Sequence, residues 1–309
     1  MNSATREAFG EALAELGAIN PDIVSLDADL SCTTKSATFA KKFPDRFFNM
    51  GIAEADLMAT AAGLATCNKI PFASTFAVFA TCRTLDQIRN SICYPHLNVK
   101  VVGTHAGPSC GEDGSSHQAV EDIAIMRSLP KMTVVAPADD VEAYAATIAL
   151  ADHVGPAYLR LARLASPTIH DEDNYEFVLG KGEVLREGDD VTVVACGMMV
   201  PRALEAAKKL AKEGISLQVV NMATIKPLDV DLLVSCAKRT GKVITIEEGT
   251  ILGGLGTAVA EELSERYPVP VRRIGMPDVF GTSGPGAELL DHFGLNADHI
   301  IEVARELCA

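Results

Sequence analysis

FNMGIAEADLMATAAGLA, Phe48 to Ala65, sets one carboxylate, Glu54, at the head of a run in which nearly every other residue is apolar or very small. From Ala53 to Ala65 the apolar residues keep to no single stripe, so a helix here is expected to be hydrophobic on nearly every side and buried. Glu54 is expected to go in with it. An acid at a helix N-terminus is an ordinary feature, because orphan N–H groups and the macrodipole favour negative charge there. Burial, in contrast, favours the protonated form of a carboxyl and suits it to donate to a basic heteroatom. The stretch alone fits both readings. Its Ala59, Ala61, Ala62, Gly63 and Ala65 let another backbone, helix or ring approach closely.

Around this stretch lies a chain of 309 residues, 48% hydrophobic, long enough for two domains with a core each. A net charge of -14 argues against nucleic-acid or membrane-surface binding, which need a basic face. With no Trp and 5% aromatics there is also little to stack bases on. No apolar run is long enough to span a bilayer, and MNSATREAFGEALAELG reads as an amphipathic helix rather than a leader, so a cytoplasmic protein is expected. The eight cysteines form no CxxC pair and no Cys/His ligand spacing, so neither a metal site nor a disulfide framework is expected.

The periodicity predicts two consecutive open, mostly parallel α/β domains. Ser3 is read as the cap of a first helix that Gly17 ends. Ile23 to Leu26 is a strand ending in the acidic pair Asp27 and Asp29. After the Glu54 helix come a strand, Pro71 to Thr75, a helical stretch through Ile92, and the buried strand Val99 to Thr104. A polar loop leads to a helix from Gln118 to Leu129, a strand from Met132 to Ala136, a helix starting at Asp139, and a strand from Ala157 to Ala162. Residues 1–166 are assigned to the first domain, 167–177 to a linker on the polar SPTIHDEDNY stretch, and 178–309 to the second. Second-domain strands are read at Val191 to Cys196, Ser216 to Asn221, Lys242 to Glu247 and Val269 to Ile274.

Strand ends are where open α/β sheets place ligands. The loop His105 to His117 follows one directly and holds two imidazoles, Asp113, and three glycines that let backbone approach a ligand. Imidazoles move protons near neutral pH and Asp113 can accept from hydroxyls, which suits a polyhydroxylated carbonyl substrate. Arg163, at another strand end, fits either a surface ion pair or a bidentate phosphate anchor. GGLGTA at Gly253 to Ala258 lacks the third glycine of a dinucleotide fingerprint and is read as a plain turn.

NMGIAEADLMATAAGLA, TFAVF, THAGPSCGEDGSSHQAVEDIAIMRSLP and VVAPADDVEA together resemble the pyrimidine-binding and C-terminal domains of transketolase over almost the whole chain. The resemblance implies thiamine diphosphate with a divalent metal, Mg2+ or Ca2+, and transfer of a two-carbon ketol unit between sugar phosphates. It implies that Glu54 hydrogen-bonds the cofactor's aminopyrimidine, the contact that activates the cofactor. By the same carry-over, Phe76 and Phe79 pack on that ring, with Cys82 where many relatives have a tyrosine and Ala55 where a histidine is common. Asp113 reads a substrate hydroxyl and His117 lies near the reacting carbons. His105, Arg163 and the Thr33 hydroxyl make a phosphate site, the family's other phosphate-binding arginine being expected elsewhere. The family's GDG motif for metal and diphosphate is missing. The expectation is therefore the C-terminal subunit of a split transketolase, joined to an N-terminal subunit carrying the metal ligands in a self-pairing heterotetramer. Rivals are a 1-deoxyxylulose phosphate synthase fragment, a 2-oxoacid dehydrogenase beta subunit, a non-catalytic scaffold, and more remotely a nicotinamide dehydrogenase.

Overall fold

Continuous apolar runs fold as strands covered on both faces, and alternation with helices makes them parallel. The computed structural model describes residues 2–309. Its strands are β1 (Asn2–Ser3), β2 (Ile23–Asp27), β3 (Phe47–Asn49), β4 (Ile70–Phe76), β5 (Lys100–Thr104), β6 (Thr133–Val135) and β7 (Ala157–Arg160). They continue with β8 (Ser166–Pro167), β9 (Glu183–Arg186), β10 (Val191–Ala195), β11 (Leu217–Asn221), β12 (Thr224–Lys226), β13 (Val243–Thr250) and β14 (Val271–Met276). One sheet runs β12-β6-β7-β5-β4-β2-β3 and a second runs β14-β13-β10-β11-β9, with β1 and β8 a small antiparallel pair. Only the β12/β6 and β11/β9 pairs depart from parallel in the two large sheets. Among the described residues no helix is long and apolar enough to cross a membrane.

The helix Glu54–Thr66 lies against the first sheet, its Leu57, Met58 and Ala61 fully buried with Leu26, Ala73, Ile88 and Ile92. It is not buried on every side, however: Ala55, Asp56, Ala59 and Gly63 face outward. Alanine and glycine count as apolar but carry little area, so an all-round apolar pattern built from them does not demand all-round burial. Four local readings also shift. Ser3 sits in β1, and the first helix, Thr5–Ile19, starts after Ala4 with no side-chain cap and runs through Gly17. The stretch after β4 divides into Ala77–Thr81 and a π-helical turn, Gln87–Cys93. The helix expected from Gln118 begins only at Asp122, because the Gln118 side chain is spent on the loop before it. Two short strands, β9 and β12, escaped the periodicity because each is only three or four residues long.

Residues of the second half complete the first sheet, β12 adding antiparallel to β6 with Thr224 opposite Val135. The SPTIHDEDNY stretch is likewise no free tether. Ser166 pairs with Ser3, and His170 is buried between Asp139 (Nδ1 to Oδ2, 3.0 Å) and Glu183 (Nε2 to Oε2, 3.3 Å). Burial disfavours charge on that imidazole, but the Asp139 hydrogen bond and the nearby Glu142 outweigh it and raise its pKa. The two halves thus meet through paired backbone and buried ionic groups, and the C-terminal ends of β2, β4, β5 and β7 open on one edge of the first sheet.

Candidate functional site

The parallel register brings Phe76 at the end of β4 opposite Thr104 at the end of β5, so the residues that follow share one rim. His105 leaves β5 with a positive φ of 58°, a conformation that costs a non-glycine residue energy and so is held by its surroundings. Its ring stacks on Phe76 with centroids 4.0 Å apart, and Phe76 in turn stacks on Phe79 at 5.8 Å. His117, returning at the far end of the loop, stands edge-on to Phe79 at 5.2 Å. Phe76, Phe79, His105 and His117 therefore form one aromatic wall.

Glu54 is buried at the first turn of its helix, yet it is not an isolated acid. Arg83 Nη1 donates to Glu54 Oε1 at 3.1 Å, and the same guanidinium lies 4.2 Å from the centre of the Phe79 ring. The buried acid is thus paired with a guanidinium at the head of its helix. Arg83 sets a flat, nitrogen-rich, hydrogen-bond-donating group on Phe79 and against Glu54. An aminopyrimidine has those properties. Cys82, the neighbour of Arg83, is exposed, with its thiol 3.8 Å from Glu121 Oε1. Partial burial and that acid raise its pKa, so it offers a small neutral wall rather than a nucleophile.

A second corner is cationic. Arg163 reaches Asp113 Oδ2 at 3.2 Å, and Arg6 Nη1 lies 3.2 Å from His105 Nε2 and 2.8 Å from the Thr33 carbonyl. Burial first, then Arg6 and Arg163, lower the His105 pKa to about 3, so the ring is neutral at physiological pH. Since a guanidinium can only donate, Nε2 accepts from Arg6 and Nδ1–H donates to Thr104 Oγ1 at 2.9 Å. Burial lowers the Arg6 pKa as well, and its Nε is buried without a partner. Arg6 thus bonds a neutral imidazole and keeps an orphaned buried donor, while Arg163 nearby is paired with Asp113 and Glu112.

Arg6, which the sequence analysis does not single out, stands beside His105 and Thr33 in the structure. It was missed because the first helix reads as simply amphipathic. The Thr33 carbonyl accepts from Arg6, which brings Thr33 beside His105. Asp27 turns inward, accepting from Thr34 Oγ1 (2.7 Å) and Ser36 Oγ (2.9 Å), so it shapes the 30–36 turn. Among the described residues no group of three or more His, Cys, Asp or Glu could hold a metal ion.

Comparison with known proteins matches residues 2–168 to the transketolase pyrimidine binding domain and residues 180–300 to the transketolase C-terminal domain. A Methanocaldococcus jannaschii protein named for the C-terminal section of transketolase is 48% identical over 297 residues, covering 96% of this chain and 93% of that protein. A 6-deoxy-6-sulfo-D-fructose transketolase subunit of a Clostridium species is 43% identical, covering 98% and 94%. A solved structure described as a split gene transketolase, inactive beta4 tetramer, superposes with a TM-score of 0.92 at 55% identity, covering 99% of this chain and 98% of that one.

Proposed function

Because the chain belongs to the transketolase family, we propose that it is the C-terminal subunit of a split transketolase that moves a two-carbon ketol unit from a ketose phosphate to an aldose phosphate. The observation that carries this reading is the pairing, on one rim, of the Glu54 and Phe79 corner with the Arg6, His105 and Arg163 corner. Glu54 and the Phe76 and Phe79 faces hold the aminopyrimidine of thiamine diphosphate. When bound, that cofactor supplies a carbon nucleophile that no amino-acid side chain provides.

The chain's own residues do the rest. Glu54 would hydrogen-bond the ring through its carboxyl, with Arg83 bonded to Oε1 of the same group. Neutral His105 orients Arg6, and Arg6 with Arg163 binds the acceptor's phosphate. Asp113 accepts from a substrate hydroxyl, and His117, half-buried against Phe79, donates to or accepts from oxygens on the reacting carbons. Metal and diphosphate ligands are assigned to a separate N-terminal subunit in a heterotetramer. The near-full coverage of relatives that are themselves named as a section or a subunit supports that assignment.

Donor choice tests the reaction. The complex reconstituted with its native partner is expected to transfer a ketol unit from xylulose 5-phosphate and to release no carbon dioxide from pyruvate. Decarboxylation of pyruvate without ketol transfer would make it a 1-deoxyxylulose phosphate synthase or 2-oxoacid dehydrogenase component instead.

A further inference from the structure

The loop that carries His105, Asp113 and His117 is closed at its neck within the first half of the chain, where Gly107 N–H donates to the Ala119 carbonyl at 2.8 Å. Its outer surface, however, is gripped from the second half. Glu248, on β13 and 2% exposed, accepts from the Ser109 backbone N–H at 2.8 Å. Two residues on, Thr250 N–H donates to the Val120 carbonyl at 2.7 Å. Gln118 Nε2 crosses the other way and donates to the Thr282 carbonyl at 2.8 Å.

The fit allows no slack. Gly107 has a φ of +76°, and a methyl group there would overlap the Glu248 carboxylate, while a methyl group at Gly281 would overlap the Gln118 amide. Glu248 is itself fixed to the first sheet. Arg160, buried at the end of β7, donates to the Glu248 carbonyl at 2.6 Å and pairs with Asp122 at 2.8 Å. Burial raises the Glu248 pKa, opposed by Arg160 and the Ser109 contact.

We infer that Glu248 is a positioning residue, through which the C-terminal half sets the geometry of the loop that binds and orients the substrate. The inference rests on the reading of the site given above. It assigns this half a part in the reaction without any of its side chains touching a reacting atom. Removing the Glu248 carboxylate leaves the Ser109 N–H buried and unpaired, so the loop relaxes. Small displacements of groups that orient a substrate cost rate steeply. The helix Glu54–Thr66 lies outside the grip.

The test compares Glu248→Ala and Glu248→Gln in the complex assembled with its partner subunit. For Glu248→Ala the acceptor KM is expected to rise, and kcat to fall, by about tenfold each. The affinity for thiamine diphosphate is expected to stay unchanged. Amide hydrogen exchange is expected to speed up across residues 105–118 and not across 54–66. Glu248→Gln keeps an oxygen for the Ser109 N–H and is expected to recover most of the loss. Should Glu248→Ala fail to assemble, Gly281→Ala, which presses on Gln118 from a different segment, is expected to shift the acceptor KM the same way. A variant with lower thermal stability but unaltered KM, kcat per bound cofactor and loop exchange overturns the inference. Glu54→Ala, run in parallel, separates the two levels. If it loses activity while Glu248→Ala does not, only the positioning role fails; if it too is unaffected, the reading of the site fails.

Discussion

Replacing Glu54 by alanine in the assembled complex is expected to lower kcat by about 10²- to 10⁴-fold, the range of a positioned proton-transfer group. The substitution removes a buried acid bonded to Arg83, whose guanidinium lies over the Phe79 ring. It also leaves the Arg83 guanidinium on that ring without its partner. Affinity for thiamine diphosphate should fall with the rate, because the same oxygen both activates and anchors the ring. Assembly should be unaffected, since Leu57, Met58 and Ala61 hold the helix in its core. Steady-state rates combined with calorimetric titration of the cofactor check both parts. Full activity in this variant would favour a scaffold that keeps the fold without the chemistry.

The cationic corner is the second place where a large effect is expected. Arg6→Ala and Arg163→Ala should each reduce kcat/KM for a phosphorylated acceptor by about 10- to 100-fold, since a hydrogen bond to a charged group contributes roughly 1.5–3 kcal/mol. The loss should lie in KM, because phosphate contacts that are equally strong before and during reaction bind without accelerating. The two variants should combine less than additively, as Arg6 and Arg163 both act on His105. An unphosphorylated aldose is the control: its kcat/KM should change little. An equal loss for both acceptors would mean that the arginines support the fold near His105 instead of reading an anion.

Much of this arrangement was legible in the sequence, for a physical reason. Strand runs such as VKVVGT are mostly apolar, Lys100 apart, and end in polar residues, so His105 and Arg163 announce themselves at the strand ends where open α/β sheets place ligands. Glu54 stands out because nothing near it but Asp56 is charged. Residues whose role depends on a distant partner did not stand out. Arg6 looks like the polar face of an amphipathic helix until Thr33 and His105 are beside it. Arg83 lies in TCRTLDQ, which has no period and breaks between a short helix and a π-helical turn. Glu248 was taken to lie just past a strand ending at Glu247, whereas β13 continues to Thr250 and carries both acids inside. Two adjacent acids within a buried run were the available signal, because buried carboxylates need partners.

Under the proposed function this chain provides the pyrimidine end of a cofactor site whose diphosphate end belongs to another polypeptide. Calorimetric titration of thiamine diphosphate into the purified chain, alone and then with the native partner subunit and a divalent cation, tests it most directly. No measurable binding is expected to the chain alone, and saturable binding, one cofactor per Glu54, once the partner is present. Tight binding and ketol transfer by the chain alone would contradict it.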